Sequence, residues 1–178
     1  GDPDGQIGYG DCLKYGIGVG QNTDEAIHYY KLAADQDNEN GEFHYGWELY
    51  SKNGNEQEKK EAIAYLKKSA EKLFPDGMYA YSKTIKQTNP DEAKKLFDLS
   101  IEKGSEMAIK EYGKELKEDG KFIQAAELYK SAADKGLLIG YRKYAKLIIK
   151  GYALRGDEDD DDIARNYYKK AADFGEAK

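Results

Sequence analysis

Cysteine is almost absent. Cys12 stands alone in 178 residues, so no internal disulfide can form; a disulfide-stapled secreted scaffold is excluded, and a reducing compartment such as the cytoplasm is favoured. The two histidines, His28 and His44, have no cysteine or carboxylate at metal-ligand spacing, so no metal and no cofactor is expected. No apolar run approaches the roughly 18 residues of a membrane span. Positive charge is not in excess either: the net charge of −6 argues against wholesale nucleic-acid binding. Hydrophobic content is 39%, low for one compact core. Sixteen tyrosines make up the bulk, each burying a large ring while its hydroxyl stays wet.

What is present is a repeat. Tyr29-Tyr30-Lys31-Leu32-Ala33-Ala34-Asp35 returns as Tyr65–Glu71, Leu96–Glu102, Leu128–Asp134 and Tyr167–Asp173. An alanine precedes each copy: Ala26, Ala62, Ala93, Ala125 and Ala164. From that alanine the small and aromatic positions fall at i, i+3, i+4, i+7 and i+8, one face of an amphipathic helix. We term it helix B.

A tyrosine follows each of the first four alanines at a constant 19 residues: Tyr45, Tyr81, Tyr112 and Tyr144. Tyr9 holds the same place in the opening unit. Four residues before it stand Gly5, Gly41, Gly77, Ala108 and Gly140; directly after it, Gly10, Gly46, Ser82, Gly113 and Ala145. This is helix A. Interior glycine costs about 1 kcal/mol relative to alanine, so the recurrence predicts close approach to helix B. Spacing varies only from A to B, as stacked helical hairpins allow. Asn89-Pro90 reads as an N-cap with proline at the first helical position, and Gly104, Gly136 and Gly175 read as left-handed C-caps.

Tyr9-Gly10-Asp11-Cys12-Leu13-Lys14-Tyr15-Gly16-Ile17-Gly18-Val19, leading to Ala26-x-x-Tyr29-Tyr30-x-x-Ala33-Ala34, resembles the Sel-1-like repeat (SLR) family of the tetratricopeptide-like superfamily. The family's helix-A leucine is tyrosine throughout here, and the G-x-G-V loop is intact only in the first unit. The resemblance implies an all-α fold, a right-handed α-solenoid superhelix of about five stacked antiparallel helix-turn-helix units. We place these at 4–38, 39–74, 75–104, 105–136 and 137–176 in a single array. Both ends read as cut from a longer array, with apolar end surfaces prone to self-association. The resemblance also implies a scaffold or adaptor role.

On a 100° helical projection, the positions two before, two after and five after each helix-A tyrosine share the side opposite its buried face. In tetratricopeptide-like stacks that side lines the concave groove. It carries Ile7, Asp11 and Lys14; Phe43, Trp47 and Tyr50; Tyr79, Lys83 and Lys86; Lys110, Lys114 and Lys117; Arg142, Lys146 and Ile149, with Lys150 beside them. An aromatic patch thus gives way to a basic ladder suited to an acidic peptide or protein partner. The competing readings are a merely solvated lysine face and, for Trp47, core packing.

The acidic run 156–162 lacks the glycine and closing glutamate of a calcium loop and reads as a solvated loop. Gly16-Ile17-Gly18-Val19-Gly20 has no following Lys-Ser/Thr and reads as a turn. Cys12 reads as a small packed residue, and no nucleophile, base and orienting acid assemble, so no catalytic residue is expected. The expected function is protein–protein interaction through the helix-A groove. The alternative is a regulatory or targeting segment of a larger enzyme whose catalytic domain lies outside this chain.

Overall fold

The computed structural model describes residues 1–52, 54–153 and 160–174. Among them lie ten α-helices and no strand: α1 (Pro3–Tyr15), α2 (Thr23–Ala34), α3 (Glu39–Ser51), α4 (Glu56–Glu71), α5 (Pro75–Ile85), α6 (Pro90–Glu102), α7 (Glu106–Glu118), α8 (Phe122–Asp134), α9 (Leu138–Ile149) and α10 (Asp160–Asp173). Odd-numbered helices are helix A of each repeat and even-numbered helices are helix B. The chain divides into two compact units, Gly1–Lys103 with α1 to α6 and Gly104–Lys178 with α7 to α10. Within each, every helix packs on the next in sequence, and in the first unit α3 also packs on α1 and α5. That stacking of hairpins is the α-solenoid arrangement.

Side-chain caps begin most helices. Asp2, Asn22, Asn38, Asn55, Asn89 and Ser105 each accept a backbone N–H from the first turn, satisfying a donor with no partner inside the helix. Asn89 precedes Pro90 as the sequence predicts. Gly104 and Gly136 follow helix B with positive φ. The same register in the first two repeats holds Asp37 and Leu73, also at positive φ; there the connection to the next helix imposes a left-handed residue without glycine. Gly175 and residues 156–159 of the acidic run lie outside the described residues. Asp160, Asp161 and Asp162 form the first turn of α10, where negative charge complements the helix dipole. Gly16 and Gly18 both have positive φ in an exposed turn.

The repeat alanines form the spine of the core: Ala26, Ala62, Ala93, Ala125 and Ala164 are all buried. The small helix-A positions let helix B come close. A Cβ on Gly10 would stand 2.6 Å from the Tyr30 ring, and one on Gly46 would stand 2.9 Å from Leu66. One on Gly41 would stand 2.7 Å from Ala33 of the preceding helix B. Gly113 and Gly140 are similarly closed off by Tyr129 and by the Ala132–Ala133 backbone. Helices α3, α5 and α9 are therefore each wedged between two helices B.

The helix-A tyrosines depart from expectation. Only Tyr45 is buried; Tyr9 and Tyr112 are 41% and 38% exposed, and Tyr81 and Tyr144 are half-buried. Their rings stand at the margin, edge-on to a helix-B tyrosine: Tyr9 to Tyr29 at 4.7 Å, Tyr45 to Tyr65 at 4.9 Å, and Tyr144 to Tyr167 at 4.9 Å. Such T-shaped pairs add about 0.5–1.5 kcal/mol beyond area burial. Correspondingly, the side taken as outward is partly interior. Ile7, Phe43 and Tyr79 are buried at 5%, 5% and 7% exposure, because consecutive helices A also pack on one another in the first unit.

Candidate functional site

Tyr129 occupies the fourth position after Ala125 on α8, and its ring is buried beneath Gly113 of α7. Only glycine leaves room there, since a Cβ would collide with the Tyr129 hydroxyl. Tyr129 borders a cavity of about 140 Å³ lined by Lys117, Tyr129, Lys143, Lys146, Leu147 and Lys150. Lys143, Lys146, Leu147 and Lys150 follow i, i+3, i+4 and i+7 from α9 into its C-cap, so three ammonium groups share one stripe. Lys117 reaches in from α7, its Nζ 6.0 Å from the centre of the Tyr129 ring.

Among the described residues, none of Lys110, Lys117, Arg142, Lys143, Lys146 and Lys150 pairs with a carboxylate, and Tyr129 makes no hydrogen bond through its hydroxyl. α9 contains no acidic residue at all. Half-buried Lys143 registers the result. Burial, then the charges of Lys117, Lys146, Arg142 and Lys110, hold its pKa below the ordinary lysine value. Burial likewise raises the Tyr129 phenol.

The first repeat of the other unit carries the same frame with different charges. Tyr30 lies beneath Gly10 as Tyr129 lies beneath Gly113, and its hydroxyl donates to Asp11 Oδ1 at 2.7 Å. Lys14, in the register of Lys117, donates to Glu48 Oε1 at 2.6 Å; Glu48 stands where the second unit has Leu147. His44, in the register of Lys143, stacks on Tyr30 with centroids 4.9 Å apart, and burial holds its pKa below the ordinary histidine value. Burial and the Asp11 hydrogen bond push the Tyr30 phenol far above its usual range. Every polar group of that pocket has an internal partner or a stacking neighbour.

Of the residues singled out in sequence, Lys117 and Lys146 line the cavity, and Lys110 and Arg142 act on Lys143 from nearby. Lys114 is exposed and pairs with Glu118 at 3.5 Å. In the first unit, Lys83 lies 6.0 Å from the Tyr79 ring and Lys86 is exposed at the end of α5. Trp47 is half-buried between Phe43 at 6.5 Å and Tyr79 at 6.2 Å, so its ring is largely packed. Phe74 and Phe97 continue that aromatic row. Tyr50 is half-buried against the core. Lys143 escaped the projection, which placed it off the outward side. The i, i+3, i+7 lysine spacing on an acid-free helix was the signal that marks it.

Elsewhere, Glu42 is buried at 1% exposure and pairs with Lys72 at 2.8 Å, its second oxygen lacking a partner. No group of three His, Cys, Asp or Glu side chains among the described residues is placed to hold a metal. No helix among them is long and apolar enough to cross a membrane.

Stacked helical hairpins with a charged pocket between neighbouring helices define a repeat module of the α-solenoid class. The chain belongs to the Sel1 repeat family: the Sel1 repeat model matches residues 3–38, 41–72, 77–105, 106–137 and 143–175. Two solved structures share the fold. One is a protective antigen present in uropathogenic Escherichia coli strains that displays an SLR fold, with TM-score 0.59 and 24% identity over 97% of this chain. The chain spans only 38% of that antigen's length. The other is a Sel1 repeat protein from Oxalobacter formigenes, with TM-score 0.54 and 23% identity over 98% of this chain and 74% of that one. No curated protein sequence matches the chain. Sel1 repeat proteins are generally protein-interaction scaffolds and typically non-catalytic.

Proposed function

We propose that the chain is a protein-interaction module whose second unit holds an acidic segment of a partner protein on the cationic face around Tyr129. The observation that carries this reading is the set Lys117, Lys143, Lys146 and Lys150, which line one cavity and pair with no carboxylate among the described residues. Like charges this close oppose folding slightly and gain when a counter-charge arrives. In a chain of net charge −6, a local cationic face also steers acidic ligands to one place.

The test is fluorescence anisotropy at fixed ionic strength with a labelled peptide rich in Glu and Asp and a neutral control of equal length. The acidic peptide is expected to bind at least about tenfold more tightly, a difference of about 1.4 kcal/mol. Lys117→Glu combined with Lys146→Glu should abolish that preference while leaving the far-ultraviolet circular dichroism unchanged. Equal binding by the native and charge-reversed proteins would reject the assignment.

A further inference from the structure

The cavity is small and its charge is large, and together these narrow what it holds. At about 140 Å³ it has the room of several water molecules at about 30 Å³ each, well below the roughly 300–1,000 Å³ of sites for free metabolites. It suits one head group carried on a chain. Four lysines line it, with Lys110 and Arg142 close enough to act on Lys143. A carboxylate brings one charge and two oxygens in a plane. A phosphate monoester brings a charge of about −1.5 to −2 and three acceptor oxygens in a tetrahedral array. Four cationic side chains contributed by two helices, with a phenol in the same lining, supply more positive charge than one carboxylate balances, which favours the second group.

The first unit shows what the phenol does when an oxyanion is supplied. At the equivalent position Tyr30 donates to the carboxylate of Asp11 at 2.7 Å. The second unit has Lys114 in place of Asp11, and among the described residues the Tyr129 hydroxyl meets no carboxylate and has four lysines in the same cavity lining.

We propose that the Tyr129 cavity is a phosphoryl-binding site that takes the phosphate monoester of a phosphorylated side chain on the partner protein, with Lys117, Lys143, Lys146 and Lys150 supplying charge and the Tyr129 hydroxyl donating a hydrogen bond. This rests on the reading of the second unit as an anion-binding face. No bond is made or broken; the step is recognition.

The experiment uses the full chain and one acidic peptide prepared with serine, glutamate or phosphoserine at a central position. The phosphoserine form should bind about tenfold more tightly than the glutamate form. Lys143→Gln and Tyr129→Phe should each reduce that advantage about fivefold or more, with no appreciable lowering of the thermal midpoint, and Lys14→Gln should leave it intact. In nitrogen-15 spectra, inorganic phosphate should saturate shifts at Tyr129 and Lys143 and raise the Lys143 titration midpoint, whereas acetate at equal ionic strength should not. Equal affinity for the glutamate and phosphoserine peptides would overturn the phosphoryl assignment while leaving the acidic-segment reading standing. Loss of all peptide binding would remove both. Tighter binding to phosphoinositide vesicles or to single-stranded RNA than to the phosphopeptide would overturn the protein source.

Discussion

Tyr30 and Tyr129 occupy the same place in their repeats and lie under the equivalent glycine, yet one donates its hydroxyl to a carboxylate while the other borders an open cavity lined by four lysines. Around Tyr30 the residues contributed by the two adjoining helices A are Asp11, Lys14, His44 and Glu48; around Tyr129 their counterparts are Lys114, Lys117, Lys143 and Leu147. The ring and its covering glycine are common, and the polar residues set around them differ. Packing is therefore shared by the repeat, while binding capacity belongs to positions the repeat leaves free to vary. Small buried residues of the repeat such as Ala33 and Ala132 are spacers, and enlarging Ala33 should cost about 1–3 kcal/mol by overpacking.

The broadest check on this contrast is truncation of both rings. Tyr30→Ala and Tyr129→Ala should each cost about 3–5 kcal/mol in urea unfolding, because both side chains are buried and each would leave a void. A cost below about 1 kcal/mol at either would break the claim of a common scaffold. The lysines should then separate the pockets. Lys14→Gln strands the Glu48 carboxylate, whose side chain is only 11% exposed, and should cost about 1–3 kcal/mol. Lys117→Gln removes like-charge repulsion and should change stability by less than about 0.5 kcal/mol, while weakening anion binding. Equal destabilisation by the two would show that Lys117 has an internal partner after all.

Removal of a single oxygen sharpens the comparison further. Tyr30→Phe should cost about 1–2 kcal/mol through the lost hydrogen bond to Asp11, and Tyr129→Phe less than about 0.5 kcal/mol, both read from denaturant midpoints. The smallest effect is in pH. Burial lowers the folded-state pKa of His44, so the unfolded chain binds the proton first as pH falls through about 6.5, and stability declines from there downward. His44→Phe keeps the stack on Tyr30 and should remove that part of the decline between pH 7.5 and 5. Lys143 has the opposite window. Its lowered pKa penalises the folded state at neutral pH, and the penalty lifts only as pH rises toward the ordinary lysine range near 10.5. A Lys143→Gln protein should lack that rise.

Much of the fold was legible because it rests on short-range rules. The alanine register located every helix B, and the small residues flanking the helix-A tyrosines marked where helices meet, as Gly10 against Tyr30 and Gly41 against Ala33 show, with exposed Gly5 the exception. Asn89-Pro90 and the glycines at 104 and 136 marked termini correctly. The helical projection failed at Phe43 and Tyr79. It gives the angle of a side chain about its own axis, but not which neighbour fills that sector, and in the first unit a second helix A fills it. The same limit hid Lys143 and overstated Trp47, whose ring packs between Phe43 and Tyr79.

The sequence by itself determined the five repeats, the helices and the small residues through which they touch, since these follow from periods of a few residues and from the volume of single side chains. The tertiary structure alone decided which charges are cancelled. Lys14 and Glu48 are 34 residues apart in the chain and 2.6 Å apart in space, and Coulombic energy depends on the second distance. The difference between the closed Tyr30 pocket and the open Tyr129 pocket could therefore be seen only once helices from neighbouring repeats were placed side by side.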